Sequence, residues 1–153
     1  MRTLARPRDR AELLDRLTRV RPDSPRRWGR MSAPEMVCHL ADAFRMAIGE
    51  RPVSDASSLS QRTVVKWAAL YLPVQWPTGV LVTRPEIEQG SGGTCPGDFG
   101  RDVADLVAAT ERFTSANASV DWPPHPIFGS MTLRAWMRWG YLHVDHHLRQ
   151  FGV

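Results

Sequence analysis

Three of the chain's five histidines crowd together near its end, at His143, His146 and His147, and a fourth, His39, lies far upstream. At about 100° per residue, His143 and His147 fall on one face of a helix, one turn apart. A rigid backbone with that spacing can deliver two imidazole nitrogens to a single ion, which is why H-x-x-x-H recurs in helical zinc sites. His39 sits between Met36 and Ala43 in an apolar stripe of its own. A neutral imidazole on a buried face needs a hydrogen-bond partner or a metal. Two helices packed side by side would bring His39, His143 and His147 around one divalent cation. Positions would remain open for water or substrate, as in a catalytic rather than a closed structural site. Spacing alone leaves two alternatives open. His39 could be a satisfied core histidine, and His146, three residues from His143, could compete with His147.

Around these residues the other candidates are weaker. Gln150 follows His143 by seven residues on the same face and could orient a ligand or a metal-bound water, or simply make a helix contact. Asp42, one turn after His39, could accept its ring N–H, although a solvated aspartate is the commoner outcome. Asp145 points away from the histidine face and is expected at the surface. No carboxylate has the spacing of a general base, so the catalytic side chains stay unknown and a metal-bound water or thiolate would have to be the nucleophile. His125 precedes a proline in a loop, where a turn role is the first expectation and a place at the site mouth the second. Arg26, Arg27, Arg30 and Arg149 could meet an anionic cofactor or substrate carboxylate, and a solvated surface explains them equally well. Trp136, Trp139 and Tyr141 read as core and interface aromatics.

The elements that must position this chemistry are helical. Leu13, Leu14, Leu17 and Val20 recur at three- and four-residue steps and predict a first helix from Asp9 to Val20, ended by Pro22 and Pro25. Ser32 followed by Glu35 has the spacing of a capping box, Pro34 is tolerable in a first turn, and Gly49 closes the second helix. A third segment from about Leu59 to Leu72 puts Val64, Val65, Ala68, Ala69 and Leu72 on its apolar side. Pro73, Pro77 and Gly79 interrupt the chain beyond it, and the stretch from Thr83 to Asp98 is the most loop-like, a length usually functional or mobile. A fourth helix runs from Arg101 to Ala116, with Val103, Leu106, Val107, Thr110 and Phe113 in register. The last extends from about Thr132 to Phe151. No repeat and no convincing alternation of strand type is present, so the fold class is all-α, an antiparallel bundle forming a single domain over residues 1–153.

Composition excludes several classes. With 42% hydrophobic residues in 153, the chain can bury a core. Its unbroken apolar run, Trp67 to Val74, is too short for a bilayer, and the N-terminus has no apolar core of a signal peptide, so no membrane association and a cytoplasmic location are expected. Cys38 and Cys95 lack zinc-knuckle spacing, and in a reducing cytosol no disulfide is expected between them. The formal charge is +4, but Lys66 is the sole lysine among 20 basic residues. The arginines are scattered, with no basic run interleaved with aromatics, so nucleic acid is not the expected partner.

Two blocks carry a resemblance. Trp28-Gly29-Arg30-Met31-Ser32-Ala33-Pro34-Glu35-Met36-Val37-Cys38-His39-Leu40 and His143-Val144-Asp145-His146-His147-Leu148-Arg149-Gln150 resemble the DinB/YfiT-like superfamily of metalloenzyme-type proteins. His125-Pro126-Ile127-Phe128-Gly129, with Trp136 and the closing His147-Leu148-Arg149-Gln150-Phe151, looks like its DUF1569 branch. The resemblance implies a four-helix bundle of up-down-down-up topology with an additional short helix and a long loop, often a homodimer. It implies zinc or nickel held by His39, His143 and His147, with His146 at a position that is often histidine but not the usual ligand. It also implies a small-molecule substrate and, from characterised members, thiol-dependent S-transfer or isomerisation with a low-molecular-weight thiol such as mycothiol or bacillithiol. A hydrolase is the other enzymatic option. The non-enzymatic alternatives are a small-molecule-binding or stress-response module, and a structural dimer with core histidines.

Overall fold

The computed structural model describes residues 1–72, 75–76, 83–116 and 120–153, and every regular element among them is helical. Five α-helices succeed one another: α1 (Pro7–Leu17), α2 (Ala33–Ala47), α3 (Lys66–Tyr71), α4 (Phe99–Ser115) and α5 (Leu133–Gln150). α2 packs on α4 and α5, while α1 and α3 pack on α5. No helix among the described residues is long and apolar enough to cross a membrane.

Local chemistry sets most boundaries. At the head of α2 the Ser32 side chain accepts from the Glu35 N–H, and the Glu35 carboxylate accepts from the Ser32 N–H at 2.7 Å, so two orphan amides are satisfied reciprocally. Asp98 caps α4 at the Arg101 N–H, and Thr132 caps α5 at the Ala135 N–H. α1 starts two residues before the predicted Asp9, because Pro7 is pre-organised for the first helical position. It ends at Leu17 rather than Val20, whose N–H closes a last tight turn on the Leu17 carbonyl.

The third segment departs further from its predicted pattern. Gln61–Val65 winds as a π-helical turn before α3 begins. One extra residue in a turn rotates everything after it, so the predicted apolar side is met only in part: Val65 and Ala69 pack against the core. Leu70 is the buried residue of α3, while Val64 is 71% exposed and Leu72 also faces outward. Pro73, Pro77 and Gly79 lie outside the described residues.

The core runs along α2 and α5. Met36, Val37, Leu40 and Phe44 from α2 meet Trp136 and Leu148 from α5 and Phe113 from α4, all fully buried. Side chains of this size contribute about 1.5–3 kcal/mol each on burial. Gly140 lets the elements approach closely, since a Cβ there would lie 2.7 Å from Leu4 Cδ1 and 3.0 Å from Phe113 Cε1. The N-terminal segment is strapped to the same place by the Leu4 N–H, which donates to the Met137 carbonyl at 3.0 Å. α2 and α5 are thereby held in fixed register, and both carry histidines.

Candidate metal centre

The register of α2 and α5 brings His39, His143 and His147 together. One nitrogen from each lies within 4.8 Å of the others, a group that could hold a metal ion. His39 Nε2 and His143 Nε2 are 3.2 Å apart. Two nitrogens bound tetrahedrally to one zinc at 2.0–2.1 Å would be roughly 3.3 Å apart, so this pair already has the required separation. His39 and His147 are buried, and His143 is half-buried.

The partners of the ring nitrogens determine which lone pairs are free. His39 Nδ1 lies 2.9 Å from the Ile87 carbonyl oxygen. A carbonyl can only accept, so His39 Nδ1 carries the proton and its Nε2 presents a lone pair, which without an ion accepts from His143 Nε2. His147 Nδ1 lies 3.0 Å from Gln150 Oε1. Gln150 cannot be turned the other way, because its NH₂ donates to the Trp28 carbonyl at 2.8 Å. His147 is therefore also protonated at Nδ1 and bare at Nε2. An oxygen on the outer nitrogen, fixing tautomer and ring orientation, is the support that histidine ligands of metals require.

The electrostatics agree. Burial holds His39 below the ordinary histidine range. Burial, followed by repulsion from neighbouring imidazoles, holds His143 and His147 well below it. All three are neutral at pH 7, the form that binds a cation.

A cavity of about 120 Å³ opens on this cluster, lined also by Trp76, Arg84, His125, Phe128, Trp139 and His146. Trp76 is pinned by its indole N–H, which donates to the Ala69 carbonyl at 2.7 Å. No carboxylate belongs to the described lining, and Arg84 is paired with Glu86 at 4.0 Å, so a divalent ion would be the uncompensated charge in the cavity.

Residues 8–152 match the family described as "Protein of unknown function (DUF1569)". The chain belongs to the DUF1569 family. No curated protein and no solved structure matches it significantly.

Several residues of this DUF1569 chain sit elsewhere than the sequence suggests. Asp42 is neither solvated nor the acceptor for His39. It is fully buried, accepting from Arg51 at 2.8 Å, from Arg45 at 3.1 Å and from the Thr94 hydroxyl and amide at 2.8 and 2.7 Å. Arg51 also donates to the Glu86 and Gly92 carbonyls. The Asp42–Arg51 pair thus clamps residues 86–94 to α2 and holds the Ile87 carbonyl over His39. Asp145 is half-buried between Arg16 and Arg149, at 2.7 and 2.8 Å. Arg27 faces the C-terminus, donating to the Gly152 carbonyl, and none of Arg26, Arg27, Arg30 and Arg149 lines the cavity. Cys38 and Cys95 are free thiols, and burial raises Cys38 to about 12, leaving it inert.

His146 is not one of the three clustered residues. It lines the cavity between Trp28 and Trp76, with ring centroids 6.1 Å from each. Burial lowers its pKa, so it is neutral at pH 7. The features that spacing could not reveal are backbone ones: the Ile87 and Trp28 carbonyls, and Gly29. Gly29 has φ +78°, and a Cβ there would collide with Gln150 Nε2. The Trp-Gly step beside the second helix is the signal that could have pointed to it.

Proposed function

We propose that this DUF1569 chain is a divalent-metal-dependent enzyme, its ion held by His39, His143 and His147 and its substrate a small molecule. The observation that carries the reading is the pair of outer hydrogen bonds, His39 to Ile87 and His147 to Gln150. They turn the Nε2 lone pairs of both rings towards His143, whose own Nε2 lies 3.2 Å from that of His39, so three nitrogens converge where an ion could replace one shared proton. Three neutral nitrogen donors suit zinc or nickel. When bound, such an ion would supply Lewis acidity and keep an oxygen or sulfur nucleophile deprotonated at neutral pH.

The chain's own residues define the rest. Trp76, Trp139 and Phe128 give the cavity apolar walls. His146, neutral and at the rim, can take a proton on its ring. Group transfer or hydrolysis fits this set, with thiol-dependent S-transfer the subtype favoured by the DinB/YfiT-like resemblance. The up-down-down-up four-helix connection, the homodimer and a cytoplasmic location belong to the same reading.

Elemental analysis of protein purified without an affinity tag is expected to find close to one zinc or nickel per chain. His143→Ala, at the half-buried ligand, is expected to lower metal affinity by more than about a hundredfold while the helical signal is kept. Metal content near zero, with no binding on titration, would overturn the reading. The aromatic lining favours a second one, a small-molecule-binding or stress-response module without chemistry. It predicts thermal stabilisation by an apolar ligand and no turnover with thiols and electrophiles.

A further inference from the structure

His125 is held in a different way from the clustered histidines. Its Nδ1 lies 3.1 Å from the backbone nitrogens of both Ile127 and Phe128. Two N–H donors require a lone pair, so Nδ1 carries no proton and the single proton of the neutral ring sits on Nε2. Burial lowers its pKa to about 3, so the ring is never a cation near neutrality. Turning the ring over would lose both amide bonds. Phe128 stacks on it with centroids 4.7 Å apart, and Trp136 and Trp139 stand at 5.4 and 5.1 Å. The backbone is fixed as well, since His125 and Gly129 exchange N–H to carbonyl bonds of 2.9 and 2.8 Å. His125 lines the same cavity as His39, His143 and His147. Among the described residues, nothing accepts a hydrogen bond from its Nε2.

We infer that His125 is a substrate-orienting donor, its Nε2–H binding a carbonyl or carboxylate oxygen of a small molecule whose other end lies at the three-histidine cluster. The inference rests on the metal-centre reading and adds a substrate class to it. A ring edge that can only donate selects an oxygen acceptor and meets an ammonium group donor to donor. With no carboxylate in the described lining a bound divalent ion favours an anion, Arg84 being paired with Glu86, and a cavity of about 120 Å³ favours a small one.

The test uses the full chain loaded with cobalt(II), titrated with acetate and with ethanethiol and read by visible absorption. Both ligands bind as anions, but only acetate has a second oxygen to accept from His125. In His125→Asn the amide oxygen can take the place of Nδ1 and receive the two backbone N–H groups, so the turn persists while the Nε2 donor is gone. Acetate affinity is expected to fall roughly five- to tenfold and ethanethiol affinity to stay within about twofold, the effect of one hydrogen bond. Unchanged acetate binding, or an equal loss for both ligands, would overturn the inference. A second measurement needs no variant. Long-range proton–nitrogen spectra of the zinc-loaded wild type should place the His125 proton on Nε2 and move it downfield as acetate is added. A proton on Nδ1, or no movement, overturns the proposal. Failure of the wild type to take up cobalt removes the metal reading and this inference together, whereas cobalt uptake with unchanged acetate binding removes this inference alone.

Discussion

On the face shared by α2 and α5, His39 and His147 give their Nδ1 protons to oxygen, from the Ile87 backbone and the Gln150 side chain. In the turn at 125–129, His125 does the reverse and takes two backbone N–H groups on Nδ1. All three rings are buried and neutral, so burial does not distinguish them. The difference lies in what meets the outer nitrogen. An oxygen there frees Nε2 as a lone pair suited to a cation, and a pair of amides leaves Nε2 as a proton suited to an anion. One residue type thus supplies two opposite contacts to one cavity, and the surrounding backbone chooses between them.

The comparison breaks most severely if the carbonyl over His39 is released. Asp42→Ala removes a fully buried carboxylate and leaves Arg51 and the Thr94 amide without it. Breaking a buried pair costs 3–5 kcal/mol, and because the arginines are about a quarter exposed the expected loss is about 3 kcal/mol in urea unfolding. Hydrogen exchange should quicken across residues 86–94. A variant as stable as the wild type, with that loop still protected, would show that the clamp does not hold Ile87 in place.

A smaller change is aimed at His147. Gln150→Leu removes the oxygen that fixes its tautomer, and metal affinity is expected to drop about 10–100-fold by equilibrium titration. Gln150→Glu keeps an acceptor for His147 but sets a carboxylate oxygen against the Trp28 carbonyl, so its loss should be greater than zero and less than that of leucine. Equal affinities for all three proteins would mean that the outer hydrogen bond does not prepare the ligand.

How much of this was legible in the sequence depends on what kind of contact each feature uses. The capping box at Ser32 and Glu35 and the pairing of His143 with His147 are local and periodic, and both are found as predicted. The meeting of His39 with that pair depends on packing between distant helices, and the apolar stripes on both were the trace of it. The π turn at Gln61–Val65 leaves no composition signal, so Val65 and Ala69 pack inward as predicted while the burial of Leu70 and the exposure of Val64 could not be read. Asp42 lay beyond reach for a related reason, since its partners Arg51 and Thr94 belong to irregular segments whose approach no spacing rule specifies. His125 announced a turn through its neighbouring proline, but its tautomer depends on amide directions that only the folded loop defines.

The mildest test separates His125 from its surroundings through acid. Its folded pKa, about 3, lies below the unfolded value near 6.5. Between those values the unfolded chain holds a proton on this ring that the folded chain does not. Stability contributed by keeping the ring neutral is therefore fully present above pH 6.5 and is lost as the pH falls towards 3. The slope is about 1.4 kcal/mol per pH unit for one proton. In metal-free protein, where no ion competes with protons, His125→Asn should flatten the dependence of unfolding free energy on pH by about that amount near pH 5. The variant's starting stability does not matter, because only the slope is compared. An unaltered slope would mean that the folded ring is protonated after all, and a cationic His125 could not be accepting two amides on Nδ1.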